Sequence, residues 1–199
     1  TVMPGSRTAE IKHLTEPFAG AVQLLARRAG AGNGALRFIA PMAGERQKAY
    51  FMDLLAKAGL QDLVGSGVLR LVDGESHACI AAADAVLAAS GTATLEVALF
   101  KKPMVIAYKV LRASWELMRH MGYLPWIGLP NILADREIVP ELVQDQFTEA
   151  NVVREALSIL DNADRDARMR EELKQLIPQL GPKGASERVA RIALEMIPG

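Results

Sequence analysis

The sequence predicts an α/β fold: a Rossmann-like, doubly wound parallel sheet with helices on both faces, followed by a helical C-terminal tail. Three observations predict it. Short apolar segments alternate with longer ones whose apolar residues recur at spacings of three and four. Turns bearing glycine fall where the strand-like segments end. From Thr148 onward the pattern is helical and dense in charge.

In chain order, a first strand is expected over residues 1–3. A helix over 10–28 follows, carrying Ile11, Leu14, Phe18, Val22 and Leu25 on one face. Residues 36–40 read as the second strand. The next helix, over 46–58, has Tyr50, Phe51, Leu54 and Leu55 on its apolar side and Gly59 as its stop. A third strand over 68–72 leads to a short alanine-rich helix over 76–83. The fourth strand is expected over 85–88, a helix over 91–100 and a fifth strand over 104–108. These strands are short and apolar, as strands covered on both faces of a parallel sheet should be. Strand, helix and strand in repetition imply right-handed βαβ units. Ligands of such sheets bind at the carboxyl ends of the strands, near a switch in strand order.

Residues 109–130 break this pattern with both tryptophans, Trp115 and Trp126, among Lys109, Arg112 and Arg119. The tail reads as three helices over 151–160, 164–177 and 185–197, broken near Asn162 and between Pro178 and Gly184. The expected division is therefore a Rossmann-like domain over 1–147 and a helical extension over 148–199 that packs on it or on a partner.

Composition bounds the rest. Of 199 residues, half are hydrophobic and 23% are charged, which supports a core and excludes a disordered chain. Twenty-three basic and 23 acidic residues cancel, so no basic footprint marks nucleic acid as a partner. The one cysteine, Cys79, lies beside Ile80 and a run of alanines. It cannot form a disulfide within the chain, and it reads as a small buried hydrophobe before it reads as a catalytic thiol. No apolar run approaches the ~20 residues that span a bilayer. The chain enters a strand at Thr1 without a leader, which suggests a piece of a longer protein. His13, His77 and His120 lack metal-ligand spacing, so no metal is expected. The dinucleotide fingerprint and the P-loop are both absent, which disfavours nicotinamide chemistry and ATP hydrolysis.

Four segments could carry function. Between Ala85 and Phe100 the only charge is Glu96. Ser90 is a natural helix cap, Gly91 admits a ligand to the backbone, and the N–H groups of the helix end favour phosphate. Thr92 and Glu96, four apart, share a face. Either this segment holds a nucleotide by its phosphates and ribose, or it is a capped buried helix whose Glu96 bonds internally. The second segment, Pro4-Gly5-Ser6-Arg7 with Glu10, follows the first strand. Arg7 has the fork that suits a diphosphate; alternatively Ser6 or Thr8 caps the turn and Glu10 settles the helix dipole. In the third, Leu129-Pro130-Asn131-Ile132, Asn131 either reads a base or sugar edge or ties a turn. The fourth, from Lys109 to Trp126, interleaves cations with Trp115, Leu117, Met118, Met121 and Tyr123. It suits an anionic membrane surface, or a helix packed on another domain or subunit. His77 either faces the cleft or merely starts a helix.

Together these motifs resemble the lipid A disaccharide synthase family. The residues that carry the likeness are Met3 to Arg7, Ala83-Asp84-Ala85 leading into Ala89 through Glu96, Lys102-Pro103-Met104-Val105 with Tyr108, and Leu129 through Ala134. Arg136 through Gln144 continue it. The likeness runs through nearly the whole chain but covers only the carboxyl-terminal half of that family. It implies an inverting GT-B glycosyltransferase, built of two Rossmann-like domains about a cleft. The reaction implied moves 2,3-diacylglucosamine from UDP-2,3-diacylglucosamine to 2,3-diacylglucosamine 1-phosphate, giving lipid A disaccharide 1-phosphate and UDP. It implies no metal or cofactor, a lipid acceptor, and a place in the bacterial cytoplasm, peripheral on the inner membrane. Pairing through C-terminal elements is a further expectation. Carried onto this chain, Gly5, Ser6 and Arg7 line the diphosphate, Ser90, Gly91 and Thr92 bind phosphate, Glu96 takes the ribose, and Asn131 sits in the nucleotide-sugar site. The general base is expected in the other half. Competing expectations are another UDP-sugar enzyme of this type, such as a 2-epimerase, or a non-catalytic UDP-binding or assembly domain.

Overall fold

The computed structural model describes residues 1–29, 36–121, 125–181 and 184–196, with the backbone alone at 29 and 117–121. Short apolar strands must be covered on both faces, and the chain does this by returning a helix after nearly every strand. The elements are β1 (Val2–Met3), α1 (Thr8–Ala29), β2 (Phe38–Met42), α2 (Glu45–Lys57), α3 (Asp62–Gly65) and β3 (Leu69–Asp73). There follow α4 (Ser76–Ala82), β4 (Val86–Ala89), α5 (Ala93–Leu99), β5 (Met104–Tyr108), α6 (Arg112–Met121) and α7 (Leu129–Ala134). The chain continues through β6 (Glu141–Val143), α8 (Glu149–Leu160), α9 (Ala163–Leu176) and α10 (Ala185–Glu195).

All strand pairs are parallel. β1 pairs with β4, β4 with β5 and β5 with β6, while β2 pairs with β3 and lies alongside β1. Across the fold the order is therefore β3-β2-β1-β4-β5-β6. The winding reverses between β1 and β4, where Val2 faces Leu87 and Met3 faces Ala88. Two turns that lie far apart in sequence, after Met3 and after Ala89, thus emerge side by side.

The expected α/β architecture with helices on both faces is what forms. Every residue of β4 is buried, and α1 packs against α2 on one side and α8 on the other. Phe18 of α1 meets the Phe147 ring edge-on, with centroids 5.0 Å apart at 74°. Edge-to-face contact adds roughly 0.5–1.5 kcal/mol to the burial of the two rings. The charged helices α8 and α9 are amphipathic. Val152, Ala156, Ile159, Met169, Leu173 and Leu176 join the same core as the strands. By contrast α10 keeps Val189, Ile192 and Leu194 exposed, and Met196 just after it is exposed too. No helix among the described residues is long and apolar enough to cross a membrane.

The differences from expectation have local causes. β2 runs two residues past its expected end, through Pro41 to Met42. The proline removes a donor from the strand but not its pairing, since Pro41 still faces Val72. α7 occupies a segment that reads as a loop. Pro130 lies in its first turn, where the missing N–H has no intrahelical acceptor to lose. β6 is three residues long, too short to show a period, and it begins with a glutamate. The four-residue α3 escapes detection for the same reason. Among the residues singled out in the basic and aromatic segment, Tyr123 lies outside the described residues, as do the side chains of Leu117, Met118, Arg119 and Met121. The expected helix end at Ile197 and His120's side chain lie outside them too.

Candidate functional site

The carboxyl ends of β1, β2, β3 and β4 open onto a cleft of about 520 Å³. Gly5, Ser6, Arg7 and Glu10 line one side, and Ser90, Gly91, Thr92 and Glu96 the other. Met42, at the end of β2, and Gly74, just after β3, also line it, as do Ile127 and Leu129. Of the eight residues singled out from the sequence, the cleft brings together seven and leaves out Asn131. The adjacency follows from the pairing of β1 with β4 at the switch in strand order, where such sheets bind ligands.

The first turn is built around a carboxylate. Gly5 adopts φ +98°, a conformation open to glycine and strained for other residues. Ser6 N–H and Arg7 N–H donate to Glu10 Oε2 at 3.0 and 3.2 Å. Arg7 is the residue before α1, and its carbonyl accepts the first helical bond, from Ile11 N–H at 3.1 Å. Glu10 at the third helical position thus caps the helix start in the manner of a capping box. Glu10 takes these two N–H groups, so they are not open to a ligand. What the turn offers the cleft is Arg7. Its side chain is 82% exposed, and one guanidinium N–H meets Glu10 Oε1 at 3.1 Å. A guanidinium has five donors, and among the described residues only this one is engaged.

The second turn differs in what it leaves to its N–H groups. The Gly91 carbonyl accepts from Thr94 N–H at 3.1 Å and from the buried Thr94 hydroxyl at 2.7 Å. Among the described residues, the N–H groups of Gly91, Thr92 and Ala93 meet no acceptor. A Cβ built on Gly91 meets nothing within 4 Å, so the backbone there borders open space. Ser90 is not the cap that its residue type suggests. Thr92 holds that position, with no side-chain cap bond. Ser90 N–H joins the sheet through Ala107 O at 2.9 Å, and its hydroxyl donates to Ile127 O at 3.0 Å.

Glu96, one turn into α5, finds its partner on α4. His77 Nε2 lies 3.0 Å from Glu96 Oε2, and the imidazole stacks at a tilt on Phe100, centroids 5.7 Å apart. His77 therefore belongs at the rim of the cleft. At the end of β3, Lys48 Nζ donates to Asp73 Oδ2 at 2.9 Å, and this bond raises the lysine above its ordinary value. Near the start of α1, His13 is held below its ordinary 6.5, first by burial and then by Lys12 and Lys109.

Asn131 stands apart from the other seven residues. It is fully buried. Its Oδ1 accepts from Ile138 N–H and Val139 N–H at 2.8 and 3.0 Å, and its Nδ2 donates to Val139 O at 2.8 Å and to Glu141 Oε1 at 2.7 Å. Its amide is committed on every side, so it stands behind the cleft wall rather than in it. Glu141 completes that wall, accepting from Ile127 N–H and Gly128 N–H at 2.8 Å each. Sequence reasoning passes over Glu141. The signal that could have found it is the one that found Glu96: a lone carboxylate in an apolar stretch, costly unless partnered.

Comparisons with known proteins give the chain's family and its fold. A family model described as lipid-A-disaccharide synthetase matches residues 1–196. The lipid-A-disaccharide synthase of Cupriavidus pinatubonensis (strain JMP 134 / LMG 1197) is 41% identical over 186 residues, covering 90% of this chain and 44% of that protein. That of Dechloromonas aromatica (strain RCB) is 35% identical over 196 residues, covering 98% and 49%. The chain thus spans about half the length of these curated relatives. Among solved structures, a putative UDP-N-acetylglucosamine 2-epimerase from Listeria monocytogenes shares the fold at TM-score 0.55 and 14% identity, covering 85% of this chain and 38% of that one. A chain of the GtfA/B complex does so at TM-score 0.52 and 17% identity, covering 89% and 32%.

Proposed function

The chain belongs to the lipid-A-disaccharide synthase family, and from that premise we propose that it is the donor-binding half of an inverting glycosyltransferase. The reaction proposed for the whole protein moves 2,3-diacylglucosamine from its UDP derivative to 2,3-diacylglucosamine 1-phosphate. The observation that carries this reading is the cleft at the β1–β4 switch, where a guanidinium, three N–H groups without an acceptor among the described residues and a carboxylate converge.

In this reading the diphosphate lies between Arg7 and the N–H groups of Gly91, Thr92 and Ala93. Departure of UDP loads negative charge onto that diphosphate. Fixed donors aimed at it stabilise the charge as it develops, with no reorganisation at the moment of reaction. Glu96 accepts from the ribose hydroxyls, held in place by His77. Displacement at the anomeric carbon with inversion then requires a general base on the acceptor hydroxyl. No residue of this cleft is assigned that role, and the base is placed in the half of the family that this chain does not cover. The division into a nucleotide domain over 1–147 and a helical extension over 148–199 belongs to the same proposal.

We also propose that the protein works peripherally on the cytoplasmic face of the inner membrane. In support, Leu111 is 62% exposed between Lys109 and the exposed Arg112. Pairing of two copies through C-terminal elements is supported by the uncovered apolar residues of α10. Light scattering at two concentrations reads it, and a strict monomer overturns it.

Calorimetry with UDP tests the site. The 199-residue chain is expected to bind UDP. Arg7→Ala and Glu96→Ala should each weaken binding roughly tenfold or more, as loss of a charge-assisted hydrogen bond does. Equal affinity in all three proteins would overturn the assignment.

A further inference from the structure

One wall of the cleft is held by a side chain from the far edge of the sheet. Residues Ile127 to Leu129 have no strand to pair with. Their backbone is fixed instead by Glu141 of β6, which takes Ile127 N–H on Oε2 and Gly128 N–H on Oε1. Glu141 is itself fixed by Asn131 Nδ2 at 2.7 Å, and among the described residues no cation pairs with it. The approach is close: a Cβ on Gly128 would collide with Ile106 Cδ1 and lie 2.8 Å from Glu141 Oε1. The carboxylate therefore holds the backbone that enters α7, with Gly128 N–H, on the residue before the helix, as one of its donors.

This arrangement sets the position of one carbonyl, that of Ile127, and through it the polarity of Ser90. A carbonyl oxygen has no proton to give. The 3.0 Å contact between Ser90 Oγ and Ile127 O therefore requires the hydroxyl to be the donor. A hydroxyl has one proton and two acceptor lone pairs. With its proton committed, Ser90 presents only lone pairs to the cleft.

We propose that Ser90 acts in the occupied cleft as a hydrogen-bond acceptor for a donor group of the nucleoside or sugar, and not as a phosphate ligand. Glu141 is the positioning residue that holds it so. This rests on the reading of the cleft as a nucleotide-sugar site and reassigns one residue within it. Phosphate oxygens ionised at neutral pH offer no proton, so meeting one would require Ser90 to abandon Ile127 O. Ribose hydroxyls, sugar hydroxyls and a base imide N–H all carry the proton that its lone pairs can take. The phosphates are left to Arg7 and the N–H groups of Gly91 to Ala93.

The test compares UDP with inorganic pyrophosphate on the 199-residue chain, by direct and displacement calorimetry. Ser90→Ala should lower UDP affinity about five- to tenfold, the span of one neutral hydrogen bond, while pyrophosphate affinity stays within about twofold. Glu141→Gln turns an amide donor toward an N–H donor at the Ile127–Gly128 edge, and should shift UDP affinity in the same direction with pyrophosphate spared. A purely structural role for Glu141 would weaken both ligands together. Ser90→Ala removes only a hydroxyl and carries the test by itself if Glu141→Gln does not fold. Equal losses on both ligands in Ser90→Ala would make Ser90 a phosphate contact and overturn the proposal, as would no loss on either. Failure of the parent to bind UDP, or of pyrophosphate to displace it, would instead overturn the nucleotide reading of the cleft.

Discussion

The Glu10 side chain occupies the space that a Cβ on Gly5 would need, its Oε2 and Cβ both lying within van der Waals contact of that position. The same carboxylate caps the two N–H groups that follow Gly5. Gly5 is thus required twice, by its φ of +98° and by its neighbour.

Gly5→Ala should therefore destabilise the chain by about 1–3 kcal/mol, the range for a residue forced into a sparsely populated backbone conformation. Gly59 separates the two causes. It also has positive φ, +70°, but a Cβ there meets nothing within 4 Å. Gly5→Ala should lower the thermal midpoint more than Gly59→Ala does. Equal midpoints would mean that Glu10 gives way without penalty.

Asn131→Leu keeps the size of the side chain and removes four hydrogen bonds from a buried place. Ile138 N–H, Val139 N–H and Val139 O lose their partner, and buried polar groups left unpaired cost about 1–3 kcal/mol each. Urea unfolding should show a loss of about 3 kcal/mol or more. A variant as stable as the parent that had lost only UDP affinity would place Asn131 in the ligand site after all.

The imidazole of His13 is held below its ordinary 6.5 by burial and by the charges of Lys12 and Lys109. The folded state therefore takes up that proton less readily than the unfolded state. Above pH 6.5 both states are neutral and the residue has no pH-linked effect. As pH falls below 6.5 the unfolded state protonates first and stability declines, until pH passes the lowered folded value. Thermal midpoints measured from pH 7.5 down to 5.5 should fall more steeply in the parent than in His13→Gln. Parallel slopes would remove His13 from the acid response.

Lys109 and Arg112 flank an exposed leucine at the exit of β5. A basic residue near an anionic surface contributes about 1 kcal/mol. Lys109→Glu with Arg112→Glu should lower retention on anionic vesicles by roughly tenfold or more at low salt, with no change on neutral vesicles. Unchanged sedimentation with anionic vesicles would return this segment to protein packing.

Local chemistry in the sequence was enough to mark both turns of the cleft. Glycine, serine and arginine after an apolar strand, and one carboxylate in an apolar helix, stand out because each conflicts with its apolar surroundings unless it has a use. The same logic applied to Glu141 would have found the third wall. It passed unnoticed because β6 is three residues long and shows no period.

What the sequence determined by itself is the fold class and the two turns, because these depend on residue spacing and on backbone freedom within a few residues. The tertiary structure alone decided which groups those turns leave free. Pairing of Met3 with Ala88 brings the turns together across more than eighty positions. Glu10 then takes the N–H groups of Ser6 and Arg7, while those of Gly91, Thr92 and Ala93 meet no acceptor among the described residues. Ile127 O takes the Ser90 proton, and Ile138, Val139 and Glu141 take every bond that Asn131 can make. A hydrogen-bonding group is available to a ligand only if no nearer partner saturates it. The strand order and the chain's return across the sheet choose that partner.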